Sequence, residues 1–237
     1  MEAPLRVHWV RHGKVASHRG DTSLTDEGRR QVEVVGEQFS RELVSGEVVS
    51  LLHAPTRRTR ETAFVLYNSI AKALEEGRHP QIDLLAPTEH WAIRNPDIYV
   101  AGTRIELVST VEAVAEQLPP SCLSLEQIAQ LPFLPGFWGT PDRIGYWVNP
   151  PNPPGEDADA VARRLLTFAV SLLDLPRVRP RRYICVTHSP PMRAFLRRYL
   201  LGYDPGEPAY AESVDMDFDG DGLLTIRYRG DLRKMAL

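Results

Sequence analysis

Leu5-Arg6-Val7-His8-Trp9-Val10, followed by Arg11-His12-Gly13, is the stretch on which the fold turns. Its first six residues alternate and are rich in β-formers, so they read as a strand that ends where the tripeptide begins. That places Arg11, His12 and Gly13 on a loop at a strand's C-terminal end. Downstream, Thr25 precedes Asp26-Glu27-Gly28 and a polar and apolar pattern through Leu43, which predicts a helix with an N-cap and an acidic first turn. Val48 to Leu52 reads as a second strand. After Ala54-Pro55-Thr56, residues Arg57 to Leu74 have helical spacing at Ala63, Leu66, Tyr67, Ile70, Ala71 and Leu74.

Ile82 to Leu85 reads as a short third strand, after which Ala86 to Pro154 breaks the alternation and carries many prolines. This segment is expected to be an insertion or lid within one domain spanning residues 1–237. Within it, Val108 to Gln117 and Ser124 to Leu131 have helical character, whereas Pro132 to Pro154 reads as irregular loop. Gly155-Glu156-Asp157 then opens a helix from Ala158 to Leu173. Arg182 to Thr187 is a buried-type strand, leading into His188-Ser189-Pro190-Pro191 and a helix to Leu201. Ser213 to Phe218 and Leu223 to Tyr228 make a terminal hairpin across Asp219-Gly220-Asp221-Gly222. The repeated strand, loop and helix imply an α/β fold: a mostly parallel sheet with helices on both faces and a site at the strand C-termini.

Bulk composition narrows the function. The chain has 237 residues, 43% hydrophobic and 25% charged, which is ordinary for a globular protein with a sizeable core. A net charge of −3 predicts no general affinity for nucleic acid or acidic membranes, and leaves room for a local basic pocket. No run of about 18 apolar residues occurs and the N-terminus lacks a secretory pattern, so the expected location is cytoplasmic. Cys122 and Cys185 form no paired-cysteine metal motif and read as reduced packing residues. Asp215, Asp217, Asp219 and Asp221 suggest a calcium loop, but the closing glutamate is missing because the twelfth position is Ile226. Strand alternation with carboxylates facing solvent explains the spacing. Arg177, Arg179, Arg181 and Arg182 read as a solvated linker, and Trp138 and Trp147 as core or lid packing.

Three places carry phosphoryl-transfer chemistry, which requires an in-line nucleophile, cations around the equatorial oxygens and an acid for the leaving oxygen. His12 is a neutral nucleophile on a strand-end loop, with Gly13 permitting close backbone approach to a ligand. Arg58, flanked by Arg57 and Arg60, opens the helix after the second strand, where helix dipole and guanidinium act on one anion. His188 stands directly after another strand. A lone strand-end histidine is more often structural, and an arginine cluster opening a helix is more often a solvated face. Their joint occurrence, each after a predicted strand, favours one shared rim.

With these motifs the chain resembles the histidine phosphatase superfamily, which includes phosphoglycerate mutases and many phosphatases. Arg11-His12-Gly13 with Leu24-Thr25-Asp26-Glu27-Gly28 carries the first motif. Ala54-Pro55-Thr56-Arg57-Arg58-Thr59-Arg60-Glu61-Thr62-Ala63 looks like the second and Val186-Thr187-His188 like the third, while Gly155-Glu156-Asp157 with Arg164 resembles a weaker fourth. The resemblance implies a three-layer α/β/α sandwich, no metal and no cofactor, His12 as phospho-acceptor, and Arg11, Arg58 and His188 as the phosphate pocket. It points to Glu89 as the general acid, with Asp97 and Glu106 also available in that segment.

Some positions depart from the family pattern. His18 stands where an asparagine often contacts phosphate, and is the candidate to replace that contact; Lys14 and Thr59 also differ. His90-Trp91-Ala92-Ile93-Arg94-Asn95-Pro96 is unlike the mutases' Tyr-Gly pattern. The expected function is hydrolysis of small phosphomonoesters from phosphorylated metabolites through phosphohistidine. A phosphoglycerate mutase-type phosphotransferase and a non-catalytic phosphate-binding module are the alternatives.

Overall fold

A computed structural model describes residues 3–17, 20–77, 81–107, 110–149, 152–176, 178–219 and 222–237. Strand β1 (Leu5–Arg11) is buried at every position but Arg6, as expected for a strand covered on both faces. Helix α1 (Asp26–Glu42) starts as expected, with Thr25 Oγ1 accepting from the Gly28 N–H at 3.0 Å. Then come β2 (Val48–His53), α2 (Arg57–Glu75) and β3 (Asp83–Glu89). The insertion holds a small hairpin, β4 (Ile98–Val100) and β5 (Thr103–Ile105), and four short helices: α3 (Val111–Ala115), α4 (Leu125–Ala129), α5 (Leu134–Gly139) and α6 (Arg143–Val148). The regular pattern resumes with α7 (Ala158–Ser171), β6 (Arg181–Thr187) and α8 (Ser189–Leu196), and ends in β7 (Ser213–Phe218), β8 (Leu223–Tyr228) and β9 (Asp231–Ala236).

The seven-stranded sheet runs β3-β2-β6-β1-β7-β8-β9. Its first four strands are parallel and the last three form an antiparallel meander beside β1. Period-two alternation sends Val10, Val186, Val49 and Leu51 against Val32, Phe39, Leu66 and Ile70 of α1 and α2. It sends Val7, Trp9 and Cys185 to the other face, against Leu165, Ala169 and Phe195 of α7 and α8. This is the three-layer α/β/α sandwich. The insertion gathers its own apolar cluster, in which Ile98, Ile105, Ile128, Phe137 and Trp147 close on Val161 and Ala194 of α7 and α8.

Several expectations are corrected. Pro132 to Pro154 is partly helical: α5 carries its proline in the first turn, where no N–H is needed, and α6 is capped by Asp142, which accepts from Gly145 N at 2.9 Å. The hairpin of β4 and β5 and the polar edge strand β9 are additions to the elements read from sequence. After His188 the α-helix stops at Leu196, and a π-helical turn, Arg197–Leu201, completes the segment. Cys185 is buried but Cys122 is exposed, so only the former packs. Arg182 is fully buried rather than solvated, held by Glu47, Glu42 and the Nε2 of His8. Asp215 and Asp217 pair with His8 and with Arg6 and Arg227. Gly220 and Asp221 of the proposed turn lie outside the described residues.

Candidate active site

At the C-terminal rim of β1 and β6, His12 is 2% exposed and His188 is 2% exposed. Their rings lie 5.5 Å apart, edge to face. The His12 N–H of the backbone bonds Thr187 O at 3.1 Å, which ties the two strand ends together. Nδ1 of the His12 ring stands 2.8 Å from the carbonyl oxygen of Gly13. A carbonyl only accepts, so Nδ1 carries the proton and the nucleophilic lone pair is on Nε2.

The loop behind His12 is held by close packing. A Cβ on Gly13 would meet Val32 Cγ2 at 2.7 Å and Gly28 O at 2.9 Å, and one on Gly28 would meet Lys14 O at 2.3 Å. Gly13 is therefore needed where the loop presses on the first turn of α1, rather than for approach of a ligand. The Gly13 N–H donates to Thr62 Oγ1 at 3.0 Å, and Thr62 Oγ1 donates back to Arg58 O at 2.7 Å. Thr62 thus couples the nucleophile loop to the helix that carries Arg58. Thr59, one turn earlier, donates to Ala54 O at 2.6 Å and pins the entry to α2. Lys14 pairs with Glu27.

Arg58 has 12% of its side chain exposed, with Asp21 at 3.8 Å. Burial pushes its guanidinium below the ordinary arginine value, while the charges of Glu106 and Asp21 act in the opposite sense. Its Nε is buried without a hydrogen-bond partner. A desolvated and lightly compensated cation of this kind attracts an oxyanion strongly. Arg11 is more fully engaged: one guanidinium nitrogen donates to Pro208 O, another pairs with Glu207 at 3.0 Å, and Tyr210 lies under it at 4.3 Å. Tyr210 also approaches His12, ring to ring at 5.9 Å.

These residues surround one cavity of about 630 Å³, lined by Arg11, His12, Arg58, His188, Ser189, Glu207 and Tyr210 on the sheet side. Asn95, Pro96, Leu107, Phe137 and residues 140–144 of the insertion form the opposite wall. Pro190 and Pro191 remove two N–H donors from the first turn of α8, so anion binding there relies on side chains. Asp142 and Glu207 join the lining, and both are bound to the fully buried Arg193, which also holds Asp204. Hydrogen bonds from Arg193, outweighing burial, hold the Asp142 carboxyl below its usual range. Trp138 and Trp147 pack in the insertion cluster and do not line the cavity.

Arg11, Arg58, His12 and His188 are thus brought together. Glu89 is not. It is in register with His53, which is in register with Val186 and so with Val10, and that row faces α1 and α2. Glu89 accordingly lines a separate hollow with His53, Arg57, Arg60 and Glu61. Asp97 is locked between Arg94 and Arg104. Glu106 is closer to the chemistry: its charge acts on Arg58, it accepts from Asn95 Nδ2 at 3.0 Å, and its neighbour Leu107 lines the cavity. His18 lies outside the described residues. The weak fourth motif acts as a clamp. Arg164 pairs with Glu156 at 3.0 Å and donates to Ala92 O at 2.6 Å, holding the chain that leads to Asn95.

Tyr210, Thr62, Asn95 and Glu207 escaped the sequence reading; Thr62 sits inside the second motif, and the others carry no local signal. Among the described residues, no group of three His, Cys, Asp or Glu side chains is placed to hold a metal ion. No helix among them is long and apolar enough to cross a membrane.

A family model of the histidine phosphatase superfamily matches the N-terminal part of the chain. The match is to its branch 1, whose family model covers residues 7–77, the stretch with the first two motifs. The fold is similar to that of a mycobacterial hydrolase at 16% identity, over 98% of this chain and 97% of that one, with a TM-score of 0.56. It is also similar to a mycobacterial glucosyl-3-phosphoglycerate phosphatase in complex with VO3, at 16% identity, 98% of both chains and a TM-score of 0.54. A phosphoglycerate mutase from Bacillus anthracis matches at 14% identity over 97% of this chain and 94% of that one, TM-score 0.55. No curated protein matches the chain in sequence.

Proposed function

We propose that this chain is a phosphatase that hydrolyses small phosphomonoesters in the cytoplasm through a phosphohistidine on His12. The observation that carries the reading is the His12 ring, with its proton held on Nδ1 by Gly13 O, beside His188 and the desolvated Arg58 in one cavity. Nε2 attacks phosphorus in line while the bond to the leaving oxygen breaks, and Arg11, Arg58 and His188 stabilise the charge on the equatorial oxygens. Of the carboxyl groups in the insertion, Glu106 is better placed for the proton donor than Glu89, because it is bonded to Asn95 and adjoins Leu107 of the cavity wall, whereas Glu89 faces another hollow. Glu106 gives its proton to the leaving oxygen. Its carboxylate then takes a proton from the water that cleaves phosphohistidine and releases inorganic phosphate.

A rapid quench into alkaline detergent with labelled substrate tests this. Label is expected on the wild type and not on His12→Ala, whose turnover falls by about 10⁴-fold or more. Label that persists in the variant would overturn the assignment. Transfer of label within the substrate, without free phosphate, would mark a mutase; a wild type that never acquires label would mark a binding module.

A further inference from the structure

With a phosphate between His12, Arg58 and His188, most of the cavity is left for the rest of the substrate, since about 630 Å³ accommodates a whole drug-sized molecule. Five of the nine insertion residues that line it are apolar: Pro96, Leu107, Phe137, Pro141 and Ile144. Phe137 is 2% exposed, but Leu107 and Ile144 are half-buried. Both pack on the insertion's apolar cluster and line the cavity, so surface remains there for a ligand to cover. The two carboxylates on the lining offer a ligand little. Arg193 donates to both oxygens of Asp142, at 2.8 and 2.6 Å, and Glu207 gives one oxygen to Arg193 at 3.2 Å and the other to Arg11 at 3.0 Å. Charge balances as well: Arg193 meets Asp142, Asp204 and Glu207, and Arg11 and Arg143 supply the further positive charge that these carboxylates call for.

A balanced, largely apolar wall gains most from an apolar ligand, because covering it removes hydrocarbon of both partners from water. A charged group placed there would lose its hydration and upset the balance. We infer that the alcohol released at this site is uncharged and apolar, an alkyl or aryl chain lying against Leu107 and Ile144, so that the substrates are phosphomonoesters of apolar alcohols. The inference rests on the phosphatase reading and names the substrate class of that site. Leu107 and Ile144 are its specificity residues, and because Leu107 follows Glu106, the chain lies beside the proton donor.

The test measures kcat/KM for ethyl and butyl phosphate and for three polar esters of similar length, 2-methoxyethyl, 3-aminopropyl and 3-carboxypropyl phosphate. Each methylene from ethyl to butyl should add about threefold, about tenfold in all. Butyl phosphate should also exceed each polar ester by about tenfold or more, although the ether oxygen makes methoxyethanol the better leaving group. In the double variant Leu107→Asn/Ile144→Asn the ratio of butyl to 2-methoxyethyl phosphate should fall by about threefold or more. No gain from ethyl to butyl, parity with or a preference for any polar ester, or an unchanged ratio in the variant would each overturn the inference; a preference for the carboxypropyl ester would mark a second anion subsite at Arg143 in its place. The wild-type series decides even if the variant fails to fold. Label on His12 from the ethyl and butyl esters separates two failures: labelled enzyme without the gain sinks only the apolar site, whereas unlabelled enzyme sinks the phosphatase reading and this inference together.

Discussion

Two depressions flank the start of α2, and they are furnished with the same kinds of side chain. One holds His12, Arg58 and, just behind its wall, Glu106; the other holds His53, Arg57, Arg60 and Glu89. His53 ends β2 and His12 directly follows β1, and each donates Nδ1–H to the carbonyl of the residue after it, at 2.8 Å for His12 and 2.9 Å for His53. What separates them is the state of the cations. Arg57 is 61% exposed and pairs with Glu61 at 2.9 Å, whereas Arg58 is 12% exposed and stands 3.8 Å from Asp21. Water and an adjacent carboxylate screen the first; burial leaves the second's field intact. Residue type does not distinguish a phosphate pocket from a surface hollow here. Desolvation does, together with the second histidine that β6 brings to the rim.

The largest effect should come from exchanging the two arginines' fates. Arg58→Ala should lower kcat by about 10²- to 10³-fold, as expected for loss of a buried cation aimed at developing charge. Arg57→Ala should stay within about threefold, since its partner Glu61 and the solvent already satisfy it. Steady-state kinetics on any turned-over monoester decides the matter. Equal losses would erase the distinction between the depressions.

The carboxyl groups sharpen the same contrast at a smaller amplitude. Glu106→Gln should slow alkyl ester hydrolysis by about 10²-fold, and much less for p-nitrophenyl phosphate, whose leaving group needs no proton. Glu89→Gln should change neither rate by more than about threefold. A reversal, with Glu89→Gln giving the leaving-group-dependent loss, would return the proton donor to the end of β3.

Much of this was legible in the chain itself. Arg11-His12-Gly13, Arg58 and His188 each follow a strand, and parallel strands deliver their C-termini to one edge, so convergence follows from topology. The side of the sheet that Glu89 faces does not, because one residue of register moves a side chain to the opposite face, and β2 and β3 pair with an irregularity between Ser50 and Leu52. Glu106 was one of the carboxyl groups on offer, but its meeting with Asn95 was equally hidden: eleven positions apart, they meet through the hairpin of β4 and β5, whose three-residue strands are too short to show a period. Strand β9 escaped because an exposed edge strand has no apolar face to reveal it. Arg182 looked like a solvated charge beside its arginine neighbours; only the fold shows Glu47 beneath it.

The smallest effect concerns how the cavity wall is anchored, a feature the hollow lacks. Asp97 lies between Arg94 and Arg104, two residues beyond Asn95, and its backbone N–H bonds Glu156 at 2.9 Å. Gly155 stands against it: a Cβ there would come within 2.0 Å of Asp97 O, and its φ of +147° suits glycine alone. Burial acts to raise the Asp97 carboxyl, but hydrogen bonds from the two arginines outweigh it and hold the group at about 2, against an ordinary 3.8. Because the folded value is the lower one, this contribution to stability is complete above the unfolded value and disappears as pH falls through the folded value. Asp97→Asn should therefore cost about 1 kcal/mol at pH 6, and the gap to wild type in urea unfolding should narrow steadily from pH 4 to pH 2. A stability gap as wide at pH 2 as at pH 6 would show that packing, not the ion pairs, holds the wall in place.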